Sequence, residues 1–577
     1  MPRANAEVAA AFNELADLLE IMGAERFKIL AYRRAANSIE GLARDVRTIP
    51  PAKLKELQGI GPATSAKIQE LLSTGSMKKL EEVRRAVPAG LREMTMVSGL
   101  GPKKALLVHT ELGVSTVEEL HQAVKENRLR LVKGLGAKSE QNIARALAAR
   151  HRSKNRSLMD VAMATAEEMV STLQELPSVV RAAYAGSLRR GKETIGDLDL
   201  LVASEDRQGV MKAFTELDAV AGVGARGESK SSVVTAQSLQ VDLRVVAEDE
   251  WGAAMQYFTG SKEHNVKVRE LAVKRGLKLS EYGLFTVKGN QKIAGKTEES
   301  IYEELEMQTP LPTLRENRGE VELALKGMLP EVVELADLKG DLHCHSTYSD
   351  GRASIEAMAE QAVALGLSYM AITDHGRRSH VKSLSVEDID IQRSEIDRLN
   401  DQLGGRFTIL HGVELNIGPD GQLDYPDEIL RKFDLVVASV HHSLTMEATE
   451  MTARIVRGLR NPLVNILGHP TARRIGQREA IDVDLEKVFR VAAENNVALE
   501  INSNPSRLDL KDDHIRFARE FDCHFSIDSD AHTIERTKML RLGVLTAQRA
   551  WVEQSEVINT LPLEGLRSWI GRSRSSG

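Results

Sequence analysis

Two aspartates at the start of a strand-like run constrain this chain more than any other feature. The run Asp197-Leu198-Asp199-Leu200-Leu201-Val202 predicts a β-strand near the middle of the sequence. Because residues i and i+2 of a strand face the same side, both carboxylates should leave one face of a sheet. Two convergent carboxylates suit Mg²⁺, which keeps several waters and is completed by substrate phosphates. A solvated Asp-x-Asp turn is the alternative, and the pair alone does not exclude it.

Neighbouring segments add groups that bind phosphate. The run Gly186-Ser187-Leu188-Arg189-Arg190 offers backbone N–H groups, a hydroxyl and two guanidinium forks. Further on, Leu239–Val246 alternates as a strand and places Asp242 among apolar residues. Alone, Asp242 would be an edge or salt-bridge residue. On a strand next to the Asp-x-Asp pair, it would complete a two-metal site and could accept the proton of a 3′-hydroxyl. Together these segments predict nucleotidyl transfer.

Length and composition limit the class of protein. A chain of 577 residues should hold several domains, since single cores seldom exceed about 250–300 residues. No apolar run approaches the roughly 20 residues of a membrane span, and no signal-peptide pattern opens the sequence. Cys344 and Cys523 are the only cysteines, so neither a disulfide framework nor a cysteine zinc site is indicated. We expect a cytoplasmic protein with no membrane partner.

Charge and histidine are distributed unevenly. Residues 1–150 carry 24 Lys and Arg against 17 Asp and Glu, a net charge of +7, which leaves −13 for the remainder of a chain whose total is −6. A basic N-terminal quarter is consistent with contact to phosphates. Of the 15 histidines, 11 follow residue 340. This asymmetry indicates metal chemistry in the C-terminal part.

A Gly-apolar-Gly segment that opens an amphipathic helix occurs three times in the basic quarter. The glycine pairs are Gly59 and Gly61, Gly99 and Gly101, and Gly134 and Gly136, at offsets of 40 and then 35 residues. Glycines allow a tight turn, and the helix that follows directs free N–H groups toward an anion. This is the helix-hairpin-helix pattern, which grips a DNA backbone without reading sequence. One copy would fit an ordinary connection between helices; three favour DNA binding.

The N-terminal segment resembles the small domain of family X DNA polymerases. The resemblance rests on Phe27–Ala36 and the first hairpin, and it implies that Lys28 and Tyr32 line a phosphate pocket. Lys67 matches a lysine that, in some members, forms a Schiff base and removes 5′-deoxyribose phosphate. A second lysine usual in the family is replaced by Ala63. A nucleophilic lysine must lose its proton, so phosphate contact is the favoured role of Lys67, and lyase chemistry remains open.

The central segment resembles the palm of the same family. The matching positions are Gly186, Ser187, Arg190, Asp197, Asp199, Asp242, Tyr257, Phe258, Gly260, Asn265 and Arg269. By this resemblance, Ser187 and Arg190 bind the incoming triphosphate, Tyr257 and Phe258 screen its sugar, and the last two positions contact the base edge and the template side. A plain core pair is the alternative for the two aromatic residues, but the Thr-Gly-Ser that follows favours the nucleotide role.

The C-terminal part repeats an apolar strand that ends in polar residues. Seven such strands occur, separated by helical segments: Gly340–Ser346, Tyr369–His375, Thr408–Glu414, Leu435–His441, Val464–His469, Ala498–Ser503 and His524–His532. Barrels of this plan place their chemistry at the C-terminal ends of successive strands. Histidines and carboxylates gathered there suit Zn²⁺, Mn²⁺ or Fe. Strand alternation puts His343 and His345 on one face and turns Cys344 the other way.

These strand ends resemble the PHP (polymerase and histidinol phosphatase) family, a phosphoesterase barrel with a three-metal site. The resemblance implies nine metal ligands: His343, His345, Asp350, His375, Glu414, His441, His469, Asp530 and His532. Alternation alone does not choose His441 over His442; the resemblance does. Every position holds a residue that can bind a metal, so we expect an active site.

The order of the parts is that of bacterial family X DNA polymerases, and the resemblance covers nearly the whole chain. It implies a multidomain protein with all-α helix-hairpin-helix domains, an α+β nucleotidyltransferase palm and thumb, and a C-terminal α/β distorted (βα)7 barrel. The expected segments are a small N-terminal DNA-binding domain (1–85), hairpin fingers (86–152), palm (153–248), thumb (249–318), linker (319–337) and barrel (338–577).

The resemblance implies a DNA-directed DNA polymerase that fills short gaps in base excision repair. The barrel would add a metal-dependent 3′–5′ exonuclease or a related activity, such as AP endonuclease. Implied partners are gapped or primed duplex DNA and deoxynucleoside triphosphates, with two Mg²⁺ in the palm and up to three Mn²⁺ or Zn²⁺ in the barrel. We expect a monomer associated with the nucleoid.

Two other classes of protein remain open. A template-independent nucleotidyltransferase would need neither three hairpins nor the Tyr257–Ser261 segment. A DNA-binding scaffold with an inactive barrel is opposed by the complete ligand set.

Overall fold

Two compact units make up the chain. The computed structural model describes residues 3–40, 46–55, 57, 59–95, 97, 100–137, 139–141, 143–144, 147, 156–227, 230–377 and 382–575. One unit comprises Met1–Lys154 with Ile475–Glu479, and the other comprises Asn155–Arg474 with Ala480–Gly577. In the described residues, no helix is both long and apolar enough to cross a membrane.

The first unit is built from helices. They are α1 (Arg3–Ile21), α2 (Arg26–Glu40), α3 (Pro51–Leu54), α4 (Pro62–Thr74), α5 (Lys78–Ala86), α6 (Ala89–Thr95), α7 (Pro102–Leu112) and α8 (Val117–Lys125). Their apolar faces meet in one core around Phe12, Leu15, Ile39, Leu100 and Ile143. Amphipathic helices of this length are stabilised mainly by such packing rather than by propensity.

The palm segment of the second unit forms a five-stranded sheet. Its elements are β1 (Ser157–Leu158), α9 (Met159–Gln174), β2 (Arg181–Tyr184), α10 (Gly186–Arg189), β3 (Thr194–Ile195), β4 (Asp197–Ala203), α11 (Arg207–Thr215), β5 (Val220–Arg226), β6 (Lys230–Thr235) and β7 (Gln240–Val246). The strand order is β2-β4-β7-β6-β5, and only the β4–β7 pair is parallel. The apolar residues of β4 are buried, which explains why this strand lies inside the sheet.

The thumb segment follows with helices and a small antiparallel sheet. Its elements are α12 (Trp251–Thr259), α13 (Lys262–Lys274), β8 (Leu277–Ser280), β9 (Gly283–Thr286), β10 (Lys292–Ala294) and α14 (Glu298–Glu304). The short helix α15 (Glu320–Ala324) buries Val321 and Ala324 in the core of the thumb. Within the segment 319–337, predicted as a linker, α15 therefore packs on the thumb, whereas Val333 lies in the barrel core.

Seven parallel strands form the barrel, in chain order across the sheet. They are β11 (Gly340–Cys344), β12 (Tyr369–Ile372), β13 (Thr408–Asn416), β14 (Leu435–Ser439), β15 (Ile466–Leu467), β16 (Ala498–Asn502) and β17 (Phe525–Asp528). A parallel bridge between Cys344 and Ala531 joins the first strand to the end of the last. The seven predicted strands are all present, and the predicted fold class is confirmed.

Helices cover the outside of the barrel. They are α16 (Ile355–Ala364), α17 (Val386–Leu403), α18 (Asp427–Leu430), α19 (Ala448–Leu459), α20 (Leu485–Glu494), α21 (Asp512–Arg519), α22 (Leu540–Arg549) and α23 (Leu563–Ser575). One large core lies between strands and helices. A second, smaller core joins strand residues such as Leu342 and Val437 to Leu566, Trp569 and Ile570 of α23.

Candidate active sites

The palm sheet brings the three predicted aspartates together. Parallel pairing of β4 with β7 puts Asp199 directly opposite Asp242, and Asp197 lies two residues earlier on the same strand. Asp242 Oδ1 accepts hydrogen bonds from Ser232 Oγ (2.6 Å) and Gln240 Nε2 (3.0 Å). Its Oδ2 lies 2.7 Å from the ammonium of Lys230. The three carboxylates therefore share one edge of the sheet, as the strand patterns predicted.

Charge repulsion within this cluster is visible in the carboxylate pKa values. Burial, with the nearby Asp197 and Asp242, raises the pKa of Asp199 to about 6. Burial also opposes ionisation of Asp242, but hydrogen bonds from Lys230, Ser232 and Gln240 hold its pKa below the ordinary value. A divalent cation would relieve the repulsion on Asp199, and the position of Lys230 shows that Asp242 already attracts a cation. The residues thus fit a metal site.

The glycine-serine segment lies against these aspartates. Gly186 has a φ of +63°, and a Cβ there would stand 2.3 Å from Asp199 Oδ2. Only glycine allows this contact without displacing the carboxylate. Ser187 follows on the short helix α10, and the main chain of Ala185 donates to the carbonyl of Asp199 (2.8 Å).

The two arginines of the segment are held in different ion pairs. Arg189 donates to Thr259 Oγ1 (2.6 Å) and to Glu298 Oε2 (2.5 Å). Arg190 donates through Nε to Glu316 Oε1 (3.0 Å) and through Nη1 to the carbonyl of Thr259 (2.5 Å). Both guanidinium groups therefore hold the end of α12 against the aspartate cluster.

The predicted nucleotide-selecting residues surround the same helix end. The rings of Tyr257 and Phe258 contact edge to face, with centroids 5.0 Å apart, and Arg244 stacks 4.3 Å from the Phe258 centroid. Gly260 takes a φ of +69°, and its Cβ would lie 3.2 Å from Arg190 Nη1.

Asn265 and Arg269 are engaged within the protein. The Asn265 amide accepts from Gln256 Nε2 (2.9 Å) and donates to the carbonyl of Tyr257 (2.7 Å). Arg269 Nε donates to the carbonyl of Asn265 (3.2 Å).

The barrel gathers the nine expected ligands at one end. Glu414 is their centre: its Oε2 lies 3.0 Å from His375 Nδ1, 3.3 Å from His343 Nε2 and 3.5 Å from His345 Nε2. Its Oε1 lies 3.0 Å from both His441 Nε2 and His469 Nε2.

The remaining ligands extend this cluster. Asp530 Oδ1 is 3.4 Å from His345 Nε2, and Asp350 Oδ1 is 3.3 Å from His532 Nε2. Three overlapping sets have their ligand atoms within 4.8 Å of one another: His345, Asp350, His375 and His532; His343, His345 and Asp530; and His375, Glu414 and His441.

Several buried nitrogens in the cluster fit metal coordination. His343 Nε2 and His345 Nε2 are buried and make no hydrogen bond of good geometry. In two rings of the cluster, hydrogen bonds hold the Nδ1 atom and leave Nε2 for a metal. His343 Nδ1 lies 2.6 Å from Glu500 Oε1, and His441 Nδ1 lies 2.8 Å from Asn416 Oδ1. A ligating histidine commonly has its second nitrogen held in this way. The donor set therefore fits the expected metal ions.

Electrostatics differ among the residues of the cluster. Burial opposes protonation of His343, His375 and His532, but the carboxylates beside these rings raise the pKa of each. Burial opposes ionisation of Glu414, but His441, His343 and His375 hold its pKa well below the ordinary range. Burial, with His532 and His375, lowers the pKa of His345 to about 4. An ionised carboxylate and a neutral imidazole are the forms that bind metals.

Glu500, Asn416 and Arg507 were missed by sequence reasoning. Glu500 lies in the middle of β16 among apolar residues, and its partner His343 is 157 residues away. Arg507 is 7% exposed, and its Nε lies 3.5 Å from Asp530 Oδ2, while its Nη1 is buried with no hydrogen-bond partner. Strand alternation could have marked Glu500 as inward-facing. No sequence signal marks Arg507.

The first two hairpins of the N-terminal unit present bare helix starts. Gly61 and Gly101 are the N-cap residues of α4 and α7, and no side chain caps either helix. Gly59 and Gly134 take φ values of +82° and +93°, and Gly136 precedes helical residues 137 and 139–141. Gly99 lies outside the described residues.

The expected phosphate pocket is partly assembled. Lys67 Nζ lies 5.7 Å from the centroid of the Tyr32 ring and donates to the carbonyl of Ala63 (3.4 Å). Lys28 is exposed and pairs with Glu25 at 3.1 Å.

Fold and sites together define a class: a nucleotidyltransferase core with DNA-binding hairpins, joined to a barrel whose cluster of histidines and carboxylates fits metal binding. Four family profiles match the chain. They are a helix-hairpin-helix domain (3–77), a SAM-like helix-hairpin-helix tandem (91–149), a DNA polymerase beta thumb (254–316) and a PHP domain (341–504).

Curated relatives extend these matches. The chain is 36% identical over 562 residues to "DNA polymerase/3'-5' exonuclease PolX" of Bacillus subtilis. The alignment covers 97% of this chain and 98% of that protein. It is 29% identical over 236 residues to a "Probable phosphatase" of Thermoanaerobacter, covering 38% of this chain and 89% of the relative. A "Probable phosphatase" of Acetivibrio thermocellus is 34% identical over 194 residues, 31% of this chain and 72% of the relative. The chain belongs to the PolX family of DNA polymerases, as its motifs predicted.

Proposed function

We propose that this protein is a DNA-directed DNA polymerase that fills short gaps in repair and that shortens 3′ ends in its barrel. The observation that carries the proposal is the presence of two separate acidic centres. One is the Asp197, Asp199 and Asp242 cluster beside Gly186-Ser187, and the other is the nine-residue cluster around Glu414.

In the palm, we assign metal binding to the three aspartates and triphosphate binding to Ser187 and Arg190. Two Mg²⁺ ions, when bound there, would stabilise the attacking and leaving oxygens of an in-line displacement. The Ser187 hydroxyl and the Arg190 fork would orient the triphosphate. Lys230, Ser232 and Gln240 keep Asp242 ionised, which is the form that binds a metal and can accept the proton of the 3′-hydroxyl.

In the barrel, we assign Mn²⁺ or Zn²⁺ binding, up to three ions, to the nine clustered residues. Such ions, when bound, would lower the pKa of a water molecule so that it can attack a phosphodiester. Glu500 and Asn416 orient the rings of His343 and His441. We assign to Arg507, whose Nε lies 3.5 Å from Asp530 Oδ2 and whose Nη1 makes no hydrogen bond within the described residues, the binding of an oxygen of the scissile phosphate.

For the N-terminal unit, we propose sequence-independent contact with the DNA backbone. The uncapped starts of α4 and α7 leave N–H groups for phosphates. Lys67 and Tyr32 form one patch that could take a 5′-phosphate.

A direct test uses gapped duplex DNA with a labelled primer, in Mn²⁺, with and without nucleotides. Asp197→Ala/Asp199→Ala should abolish extension and keep primer shortening, since its barrel residues are unchanged. Asp530→Ala/His532→Ala should do the opposite. The same primer without a template strand serves as the control for template dependence.

Different results would overturn different parts of the proposal. Extension without a template would favour a template-independent nucleotidyltransferase. Loss of both activities in both double variants would contradict two independent centres. Primer shortening that survives Asp530→Ala/His532→Ala would remove the nuclease role from the barrel.

A further inference from the structure

A buried arginine of the barrel reaches the palm. Arg549, the last residue of α22, has a side chain that is 3% exposed. Its Nη1 donates to the carbonyl of Arg190 (2.8 Å) and to Glu316 Oε1 (2.8 Å). Its Nη2 donates to Asp512 Oδ2 of the barrel (2.8 Å). Arg549 is therefore fixed in the barrel at one end and bound to the palm and thumb at the other.

Arg190 is held by the same carboxylate. Glu316 Oε1 accepts from both Arg190 Nε (3.0 Å) and Arg549 Nη1, and it lies 3.3 Å from Lys192 Nζ. Arg190 Nη1 is used by the carbonyl of Thr259. Within the part of the chain that the structure describes, no hydrogen bond uses Arg190 Nη2. The guanidinium is thus anchored on one side and has its other side available for an anion.

The main chain after Arg190 is in direct contact with the barrel helix. Gly191 takes a φ of +67°, and a Cβ there would stand 3.1 Å from Leu545 Cβ and 3.5 Å from Arg549 Cδ. The barrel helix therefore packs against the backbone that carries Arg190, as well as against its charge network.

We propose that Arg549 of the barrel is a positioning residue for Arg190, so that the barrel completes the nucleotide site of the palm. The proposal rests on the triphosphate role of Arg190 given above. Arg549 fixes both the carbonyl of Arg190 and, through Glu316, its guanidinium. It also offsets the charge of Glu316, which would otherwise neutralise the cation that a triphosphate needs.

The test compares full-length variants in steady-state extension of gapped DNA, with primer shortening measured alongside. Arg549→Met should raise the KM for nucleotides by about five- to tenfold, within the range for residues that act through a network. Its kcat and its rate of primer shortening should stay near those of the wild type. Arg541→Met is the matched control, because it breaks an ion pair between the same helix and Glu167 of the palm (2.7 Å) without touching Arg190. Its KM should be unchanged.

A double variant separates positioning from a general effect on the fold. Because Arg549 acts through Arg190, Arg190→Ala/Arg549→Met should have the same KM as Arg190→Ala alone. Additive increases in KM would overturn the proposal. Arg549→Lys, which keeps one donor and the charge, should raise KM by only about two- to threefold. If Arg549→Met does not fold, Arg549→Lys decides the question, and an unchanged KM for nucleotides in Arg549→Lys overturns the proposal.

The proposed function can fail separately. A wild-type KM in Arg549→Met, with a raised KM in Arg190→Ala, would overturn the positioning role and leave the triphosphate role intact. A wild-type KM in Arg190→Ala itself would remove the triphosphate role.

Discussion

Arg507 is the residue on which the nuclease proposal can be tested most sharply. Among the described residues, its buried Nη1 has no hydrogen-bond partner, which is costly unless a substrate supplies the acceptor, and its Nε lies 3.5 Å from the expected ligand Asp530. Arg507→Met should slow primer shortening about a hundredfold, the scale for removing one donor to a reacting group. Extension in the palm and the metal content of the protein should be unchanged.

Arg516→Met is the control for this prediction. Arg516 also has a buried nitrogen without a hydrogen-bond partner, but it stacks on Trp551 outside the ligand cluster. It should leave primer shortening unchanged. Loss of bound metal in Arg507→Met would instead show that Arg507 supports the ligands.

The strand pattern alone could predict the juxtaposition of residues that are close in sequence. Strand alternation predicts that Asp197 and Asp199 share one face, and it predicts the same for Asp530 and His532. Glu500 and His343 touch because closure of the barrel leaves only β17 between β16 and β11. The distance between two strands around a barrel is not encoded in either strand, so this pair could not be predicted.

At the scale of elements, the two bare helix starts should bind DNA backbone. Gly61 and Gly101 have extended backbone angles (φ −87°, ψ 175° and φ −65°, ψ 171°), and no non-adjacent residue that the structure describes has an atom within 4 Å of an added Cβ. Gly61→Val/Gly101→Val should therefore fold, while the new side chains stand where a phosphate must approach. We expect DNA affinity to fall about tenfold, with a shallower dependence on salt, as measured by fluorescence anisotropy.

Thr116→Val is a matched control, since it removes the cap of helix α8, where Thr116 Oγ1 accepts from Glu119 N (3.1 Å). It should cost about 1 kcal/mol of helix stability and leave DNA affinity unchanged. Wild-type affinity in the glycine double variant would contradict a role for these hairpins.

The elements themselves were largely predictable, because their patterns are local. The strand expected over Leu239–Val246 is observed as Gln240–Val246. The strand pattern did not predict the parallel pairing of β4 with β7, which puts Asp199 opposite Asp242. Either strand alone is compatible with both directions.

For the whole molecule, the network at Glu316 should make stability depend on acid. Burial opposes ionisation of Glu316, but Arg549 and Arg190 lower its pKa from 4.5 to about 2. Because the pKa of Glu316 is lower in the folded protein than in the unfolded chain, its ionised form stabilises the fold above pH 4.5. That stabilisation is lost as the pH falls from about 4.5 towards 2. Glu316→Gln should therefore cost up to about 3 kcal/mol at neutral pH and progressively less below pH 4.5. Urea midpoints measured at several pH values test this.

Glu303 is exposed, and Glu303→Gln serves as the reference variant for the predicted dependence of stability on pH. It should show a small difference from the wild type at every pH. A difference between wild type and Glu316→Gln that does not narrow in acid would contradict the proposed ion-pair network. This network could not be predicted from the sequence, because Glu316 and Arg549 are 233 residues apart. Glu316 belongs to the expected thumb and Arg549 to the expected barrel.

Closure of the barrel between its first and last strands also sets an order of events during synthesis. His532 emerges from the ribosome 290 positions after Asp242, and Arg549 emerges later still. At usual rates of translation, this is a delay of about 15 to 60 s. A nascent chain therefore holds all three palm aspartates well before it can assemble the nuclease cluster. A message truncated within the barrel would yield a protein that can bind DNA but cannot trim it, and its nucleotide site would lack the arginine that steadies Arg190.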